Sequence, residues 1–67
     1  MKFRITRFEE DCSIRYQKEF DSPNQETAEF FTLLESRLLT KEQSIRLYKS
    51  IPGIPQDSTI LIMEISR

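Results

Sequence analysis

A lone cysteine, Cys12, stands in a chain of only 67 residues, so no disulfide within the chain can stabilise its fold. A domain of this size forms a small core, and ordering the chain costs about 1.5 kcal/mol per residue. Stability must therefore come from a well-packed core or from self-association, which buries a second apolar surface. We expect one domain spanning residues 1–67, and a homodimer rather than a monomer.

Charge and hydropathy exclude several classes of protein. Ten basic and eleven acidic residues give a net charge of −1, without the basic excess of a general nucleic-acid-binding protein. The longest apolar run, residues 60–63, is far too short to span a membrane. Residues 1–5 lack the continuous apolar stretch of a signal peptide. We therefore expect a cytoplasmic protein with no membrane partner.

Two segments near the start alternate between apolar and polar residues, which predicts two half-buried strands. They are residues 2–8 and residues 12–20, and the short polar step Glu10-Asp11 between them favours a hairpin. The register that aligns their apolar faces places Ile5 opposite Tyr16.

Helix-start signals occur twice. Ser22 can cap a helix, Pro23 suits its first position, and Gln25 completes a capping box. The helix that follows should pack on the sheet through a stripe of apolar side chains, with Leu33 off the stripe: Ala28, Phe30, Phe31, Leu34 and Leu38. Residues 40–43 repeat the signature and predict a second, shorter helix that stops before Pro52.

The last segment, residues 59–66, is apolar on both faces, unlike the first two strands. Such a strand is either central and covered on both sides, or it carries an apolar patch for dimerisation or partner capture. Either Ile60 and Ile62 form this patch, or else Leu61, Met63 and Ile65 do. The predicted fold class is α+β. The order is β-β-α-α-β, with a mainly antiparallel three-stranded sheet and helices packed on one face.

The residue types needed for most catalysis are missing. The chain has no histidine, which removes Ser-His-Asp and Cys-His pairs and histidine-based metal sites. Its only glycine, Gly53, cannot form a glycine-rich phosphate loop. Glu9, Glu10 and Asp11 are interpreted as a solvated turn, and Cys12 as a structural thiol beside acidic neighbours. We expect no enzymatic activity, no cofactor and no bound metal.

Two sets of residues remain as candidate contacts with a partner. Lys2, Arg4, Arg15 and Gln17 lie on the predicted outer face of the sheet, where they could contact phosphates or an acidic protein. Lys18 could add to such a surface. Ile54, in the connector of residues 51–55, could project as an apolar knob. The competing interpretations are a plain solvated face and a plain connector.

Three functions follow from these patterns. The first is a non-enzymatic module that binds and modulates, by inhibition, a larger protein or complex. In size, charge and economy the chain resembles the small inhibitors that phages encode against host defence, such as anti-CRISPR proteins, and that resemblance implies action by binding. The alternatives are a small nucleic-acid-binding regulator that uses a basic sheet face, and a structural homodimeric subunit held by the last strand.

Overall fold

The computed structural model describes residues 1–51 and 58–67 and shows a small α+β fold. In chain order its elements are β1 (Lys2–Phe8), β2 (Ile14–Asp21), α1 (Gln25–Ser36), β3 (Ser44–Ser50) and β4 (Thr59–Ser66). The strands form one antiparallel sheet in the order β2-β1-β3-β4. The α+β class and the antiparallel sheet are confirmed. Within the described residues, however, the sheet has four strands rather than three and is accompanied by one helix rather than two.

The β1–β2 hairpin forms as predicted, but in a register shifted by two residues. Ile5 lies opposite Lys18 rather than Tyr16. The loop is longer than Glu10-Asp11, since the Glu9 amide donates to the Ser13 carbonyl at 2.8 Å, and this accounts for one residue of the shift. The bulge between Arg7 and Phe8 adds the second. Cys12 adopts a left-handed backbone with φ 70°, a strained conformation for a residue other than glycine. A shift of two preserves the predicted faces from Tyr16 to Phe20, whereas the bulge turns Ile14 to the face of Phe8, away from the helix.

The predicted second helix is wrong, because residues 44–50 form β3. Gln43 does reach back to the amide of Thr40, with its Oε1 accepting at 2.9 Å, as in a capping box. That contact closes a turn instead, which the Gln43 amide completes by donating to the Thr40 carbonyl. Ile45 and Leu47 are then buried at a spacing of two, which is typical of a strand.

The first helix begins later than predicted. Asn24, not Ser22, is its N-cap, and its side-chain oxygen accepts from the Thr27 amide at 2.8 Å. Ser22 is buried and donates its hydroxyl hydrogen bond to the Asn24 carbonyl at 2.7 Å. At the other end of α1 the Arg7 guanidinium donates to the Leu38 carbonyl at 3.3 Å, which places a cation at the negative end of the helix dipole.

The core lies between α1 and one face of the sheet. Its fully buried apolar side chains come mainly from the two central strands: Phe3, Ile5, Ala28, Leu39, Ile45 and Leu47. Phe20 extends it toward β2, with its ring 5.9 Å from that of Phe3 and 5.4 Å from that of Phe31. Both central positions belong to β1 and β3, so the interpretation of the last strand as central is wrong. Within residues 1–51 and 58–67, no helix is long and apolar enough to cross a membrane.

Candidate interaction surfaces

The fully buried positions of α1 are small residues: Ala28, Thr32 and Ser36, which recur every four residues. Phe31 is half-buried on the same side and packs against Phe20. The Thr32 hydroxyl donates to the Ala28 carbonyl at 2.8 Å, and the Ser36 hydroxyl donates to the Leu33 carbonyl at 2.6 Å. Because both hydroxyls are paired within the helix, their burial leaves no unsatisfied polar atom and lets the helix approach β3 closely.

The opposite side of α1 carries the large apolar side chains, and they face solvent. Phe30 is 62% exposed, Leu33 is 48% exposed, Leu34 is 44% exposed and Leu38, just beyond the helix, is 63% exposed. We call these four residues the α1 outer face. The predicted packing of Phe30, Leu34 and Leu38 on the sheet is therefore wrong, while that of Ala28 and Phe31 is confirmed. No part of the chain that the structure describes covers this face.

Charged residues extend the α1 outer face at both ends. Glu26 and Arg37 are exposed, and with Phe30 and Leu33 they follow a spacing of four, three and four residues. This is the spacing of side chains that meet a neighbouring helix along one line. We call Glu26, Phe30, Leu33 and Arg37 the α1 seam. Its acidic end is the N-terminus of the helix, its basic residue follows the last turn, and its middle is apolar.

The second surface is the side of the sheet away from α1, here called the outer sheet face. Two cation–ring contacts cross its central strands: the Arg4 guanidinium lies 5.0 Å from the centroid of Tyr48, and Arg46 lies 4.8 Å from that of Phe8. Arg46 also donates to the Tyr48 hydroxyl at 3.5 Å and pairs with Glu64. The Tyr48 hydrogen bond, together with Glu64, raises the pKa of the Arg46 guanidinium above its ordinary value.

The cations of the outer sheet face are balanced by carboxylates on the edge strands. Lys2 lies opposite Asp21 in the ladder, Arg4 lies opposite Glu19, and Arg46 lies opposite Glu64. Cross-strand pairs of opposite charge stabilise a sheet and reduce its field. The face is therefore aromatic and polar, with its positive charge on the central strands and its negative charge along both edges.

The structure brings together only part of the predicted contact set. Lys2, Arg4 and Gln17 share the outer sheet face, where Gln17 accepts from the buried Thr6 hydroxyl at 3.4 Å.

The other predicted contact residues lie elsewhere. Arg15 lies in the bulge of the hairpin and pairs with Glu9 at 3.4 Å. Lys18 lies on the helix side, 4.8 Å from the ring of Phe31. Ile54, with the rest of the proline-containing connector at residues 52–57, lies outside the described residues.

Sequence reasoning missed Arg46 and Tyr48, which supply one partner in each of the two cation–ring contacts described on the outer sheet face. The signal was present: residues 44–50 alternate as regularly as the first strand. The apparent capping box at residues 40–43 outweighed that alternation.

At one end of the sheet, the β1–β2 loop holds the acidic cluster. Its two loop carboxyls have opposite pKa shifts. A hydrogen bond with Glu42, some burial and the charges of Asp11 and Glu9 raise the pKa of Glu10. Hydrogen bonds from the Ser13 hydroxyl and amide lower the pKa of Asp11. Among residues 1–51 and 58–67, no group of three acidic or cysteine side chains is arranged to hold a metal ion.

The predicted interface on the last strand lies at an edge of the sheet. In the part of the chain described by the structure, β4 pairs with β3 alone. Ile60 and Leu61 are exposed, whereas Ile62 packs against the core at a bulge in the β3–β4 ladder. Ile60 is thus accessible to a partner, and Ile62 is largely committed to the fold.

Comparison with protein-family models, with curated proteins and with solved structures finds no match to this chain.

Proposed function

We propose that this protein is a non-enzymatic interaction module that binds and modulates another protein, and that the α1 outer face is its main protein-binding surface. The observation that carries the proposal is the placement of Phe30, Leu33, Leu34 and Leu38 in solvent while small residues fill the helix–sheet contact. Contiguous exposed apolar side chains on a folded domain are typical of protein–protein contact sites.

The free energy available from burying the α1 outer face supports a binding role for it. Full burial of a leucine or phenylalanine side chain contributes about 1.5–3 kcal/mol, and the fold leaves much of that contribution unused at four neighbouring positions. Phenylalanine is among the residues enriched in interface cores. The helix packs on the sheet through Ala28, Thr32 and Ser36, so the exposed side chains of the α1 outer face lie on a rigid element.

The kind of modulation we propose is inhibition of a larger protein or complex by occupation of one of its surfaces. It is supported by the residue types that the sequence lacks for catalysis and by the resemblance in format to phage-encoded inhibitors of host defence. An inhibitor of this kind needs a binding surface and no reactive group.

The experiment compares partner capture by three forms of the tagged protein in lysate of its native host, read by mass spectrometry. Leu33→Asp introduces a charge into the α1 outer face. Ile14→Asp introduces the same charge at a similarly exposed apolar side chain on β2, opposite Phe8, and is the matched control. We expect wild type and Ile14→Asp to capture the same protein in constant ratio, and Leu33→Asp to lose it. Capture that is equal for all three forms would contradict the proposal.

A second candidate function is binding of single-stranded nucleic acid on the outer sheet face. It is supported by Phe8 and Tyr48, whose rings lie on the two central strands with Arg46 and Arg4 beside them. Proteins that bind single strands combine aromatic stacking with a positive groove. The edge carboxylates Glu19 and Glu64 oppose phosphate binding, which is why we rank this function second.

The second candidate is tested with a labelled single-stranded oligonucleotide at two salt concentrations. Arg4→Ala combined with Arg46→Ala should abolish salt-dependent binding, while Lys41→Ala, which removes an exposed cation from a turn outside the sheet, should have little effect. Undetectable binding by wild type at low salt would reject nucleic acid as the partner.

A further inference from the structure

We infer that the α1 seam binds a second copy of this chain, in an antiparallel helix pair related by a two-fold axis. This inference rests on the proposed function, because it takes the α1 outer face as a protein-binding surface and adds a second copy that competes there with the larger protein. A two-fold interface must be self-complementary, since the same patch is used by both copies. The order of residues along α1 meets that requirement.

The spacing of the seam residues along α1 determines which residues of the two copies lie opposite each other. A two-fold axis that passes beside α1 between residues 31 and 32 places Phe30 opposite Leu33 of the second copy. The same axis places Glu26 opposite Arg37 of the second copy. Each apolar contact therefore occurs twice at the centre, and each pair of opposite charges occurs twice at the ends. Coiled-coil helices with side chains at this spacing meet in the same manner.

The burial pattern agrees with this arrangement. All four seam residues are exposed, and they lie on the side of α1 turned away from Ala28, Thr32 and Ser36. Leu34 flanks the seam at 44% exposure and would be covered by the second helix. The antiparallel arrangement also sets the positive end of each helix dipole beside the negative end of the other.

The size of the contact predicts its strength. A helix of 12 residues is about 18 Å long, so two such helices bury less than the roughly 800 Å² per partner of a standard interface. We expect a dimer that dissociates in the micromolar range. The larger protein of the proposed function uses the same face, so this weak dimer dissociates before the larger protein binds.

The β4 edge is the competing site for self-association. Its bulge at Ile62, opposite Leu47 and Tyr48 of β3, interrupts the regular ladder, and Ile62 already packs against the core of its own copy. Both features weaken an added strand pairing there. The α1 seam has neither restriction.

The test is sedimentation equilibrium of the full chain under reducing conditions, over roughly 1–300 µM protein, the range that brackets a micromolar dissociation constant. Glu26→Arg and Arg37→Glu each bring two like charges together at both ends of the dimer. Each variant alone should dimerise about tenfold more weakly than wild type, because exposed ion pairs are of modest strength and two are reversed. An equimolar mixture of the two variants restores opposite charges at both ends, so the mixture should dimerise as strongly as wild type.

Two further variants separate this inference from its rivals. Glu19→Arg makes the same charge change on the outer sheet face and should dimerise like wild type. Ile60→Lys probes the β4 edge at an exposed side chain. A wild-type monomer throughout the concentration range would overturn the inference, and so would a dimer lost in Ile60→Lys but unchanged in Glu26→Arg. Either result leaves the proposed function standing if Leu33→Asp still loses its captured partner while Ile14→Asp keeps it.

Discussion

Apart from Phe31, which packs against Phe20, the two sides of α1 distribute their side chains in the reverse of the usual order. The side toward the sheet carries Ala28, Thr32 and Ser36, and the side toward solvent carries Phe30, Leu33 and Leu34. In an ordinary amphipathic helix the large apolar residues face the core. Here β1 and β3 fill the core, so the helix needs only to lie close to them. This difference shows that a helix can keep its large apolar side chains exposed for contact with a second molecule when side chains from the sheet fill the core.

The largest expected effect comes from enlarging the buried side. Ala28→Leu inserts a branched side chain where Ala28 is fully buried, and overpacking of this kind destabilises by about 1–3 kcal/mol. Urea unfolding followed by circular dichroism, with the slope checked for constancy, measures the loss. An unchanged urea midpoint would show that the contact between α1 and the sheet is loosely packed. It would contradict the claim that one side of α1 is tightly packed and the other is free in solvent.

Removing the cap should affect both sides of the helix together. Asn24→Ala deletes the oxygen that accepts from the Thr27 amide and should cost about 1 kcal/mol. Ser22→Ala, at the residue that does not cap, is the informative comparison for helix content, because its hydroxyl binds the Asn24 carbonyl instead. A larger loss of helix content in Ser22→Ala than in Asn24→Ala would contradict the assignment of the cap.

Shortening the exposed side should barely change the stability of the monomer. Leu33→Ala removes as much side chain as Ala28→Leu adds, but from a position in solvent, and we expect a change within about 0.5 kcal/mol. The measurement is the same urea titration at low micromolar protein, where association contributes little. A loss near 2 kcal/mol would mean that Leu33 packs within its own copy.

The smallest effects belong to the β1–β2 loop, remote from both sides of α1. The pKa of Asp11 is lowered, so its ionised form stabilises the fold at neutral pH, and that contribution is lost as the pH falls through the lowered pKa. The pKa of Glu10 is raised, so its ionised form opposes folding at neutral pH. Asp11→Asn should therefore lower Tm slightly at pH 7 and Glu10→Gln should raise it slightly, with both differences shrinking at acid pH. Shifts of the same sign would contradict the opposite environments of the two carboxyls.

Much of the sheet could be predicted from the chain alone, because alternation is a local property. It located β1 and β2 and the faces of most of their residues. The register depended on the left-handed backbone at Cys12 and on the bulge that turns Ile14 to the face of Phe8, and no residue type signals either feature. The turn at residues 40–43 was misread because Gln43 makes the same contact with the Thr40 amide in a turn as in a helix start.

The orientation of α1 could not be predicted, for a physical reason. Apolar periodicity shows which residues share a side of a helix, but not whether that side meets the core or a second molecule. The choice depends on the volume between helix and sheet, and that volume was fixed by Phe3, Ile5 and Leu47 on other elements. The prediction of the outer sheet face was incomplete for a related reason. Tyr48 can be assigned to that face only when residues 44–50 are recognised as a strand.

The strand order has a consequence for how the molecule assembles. β1 occupies a central position, yet its two neighbours reach it by very different routes: β2 through the short loop at Glu9–Ser13, and β3 only after the chain has passed through α1. The hairpin of β1 and β2 can form early from local contacts, whereas the pairing of β1 with β3 must first close a long segment of chain. Until that closure, the free edge of β1 and the apolar side chains of Phe3 and Ile5 remain exposed. Refolding should therefore show its greatest tendency to aggregate before β3 is in place, and the rate of that step should limit the recovery of native protein.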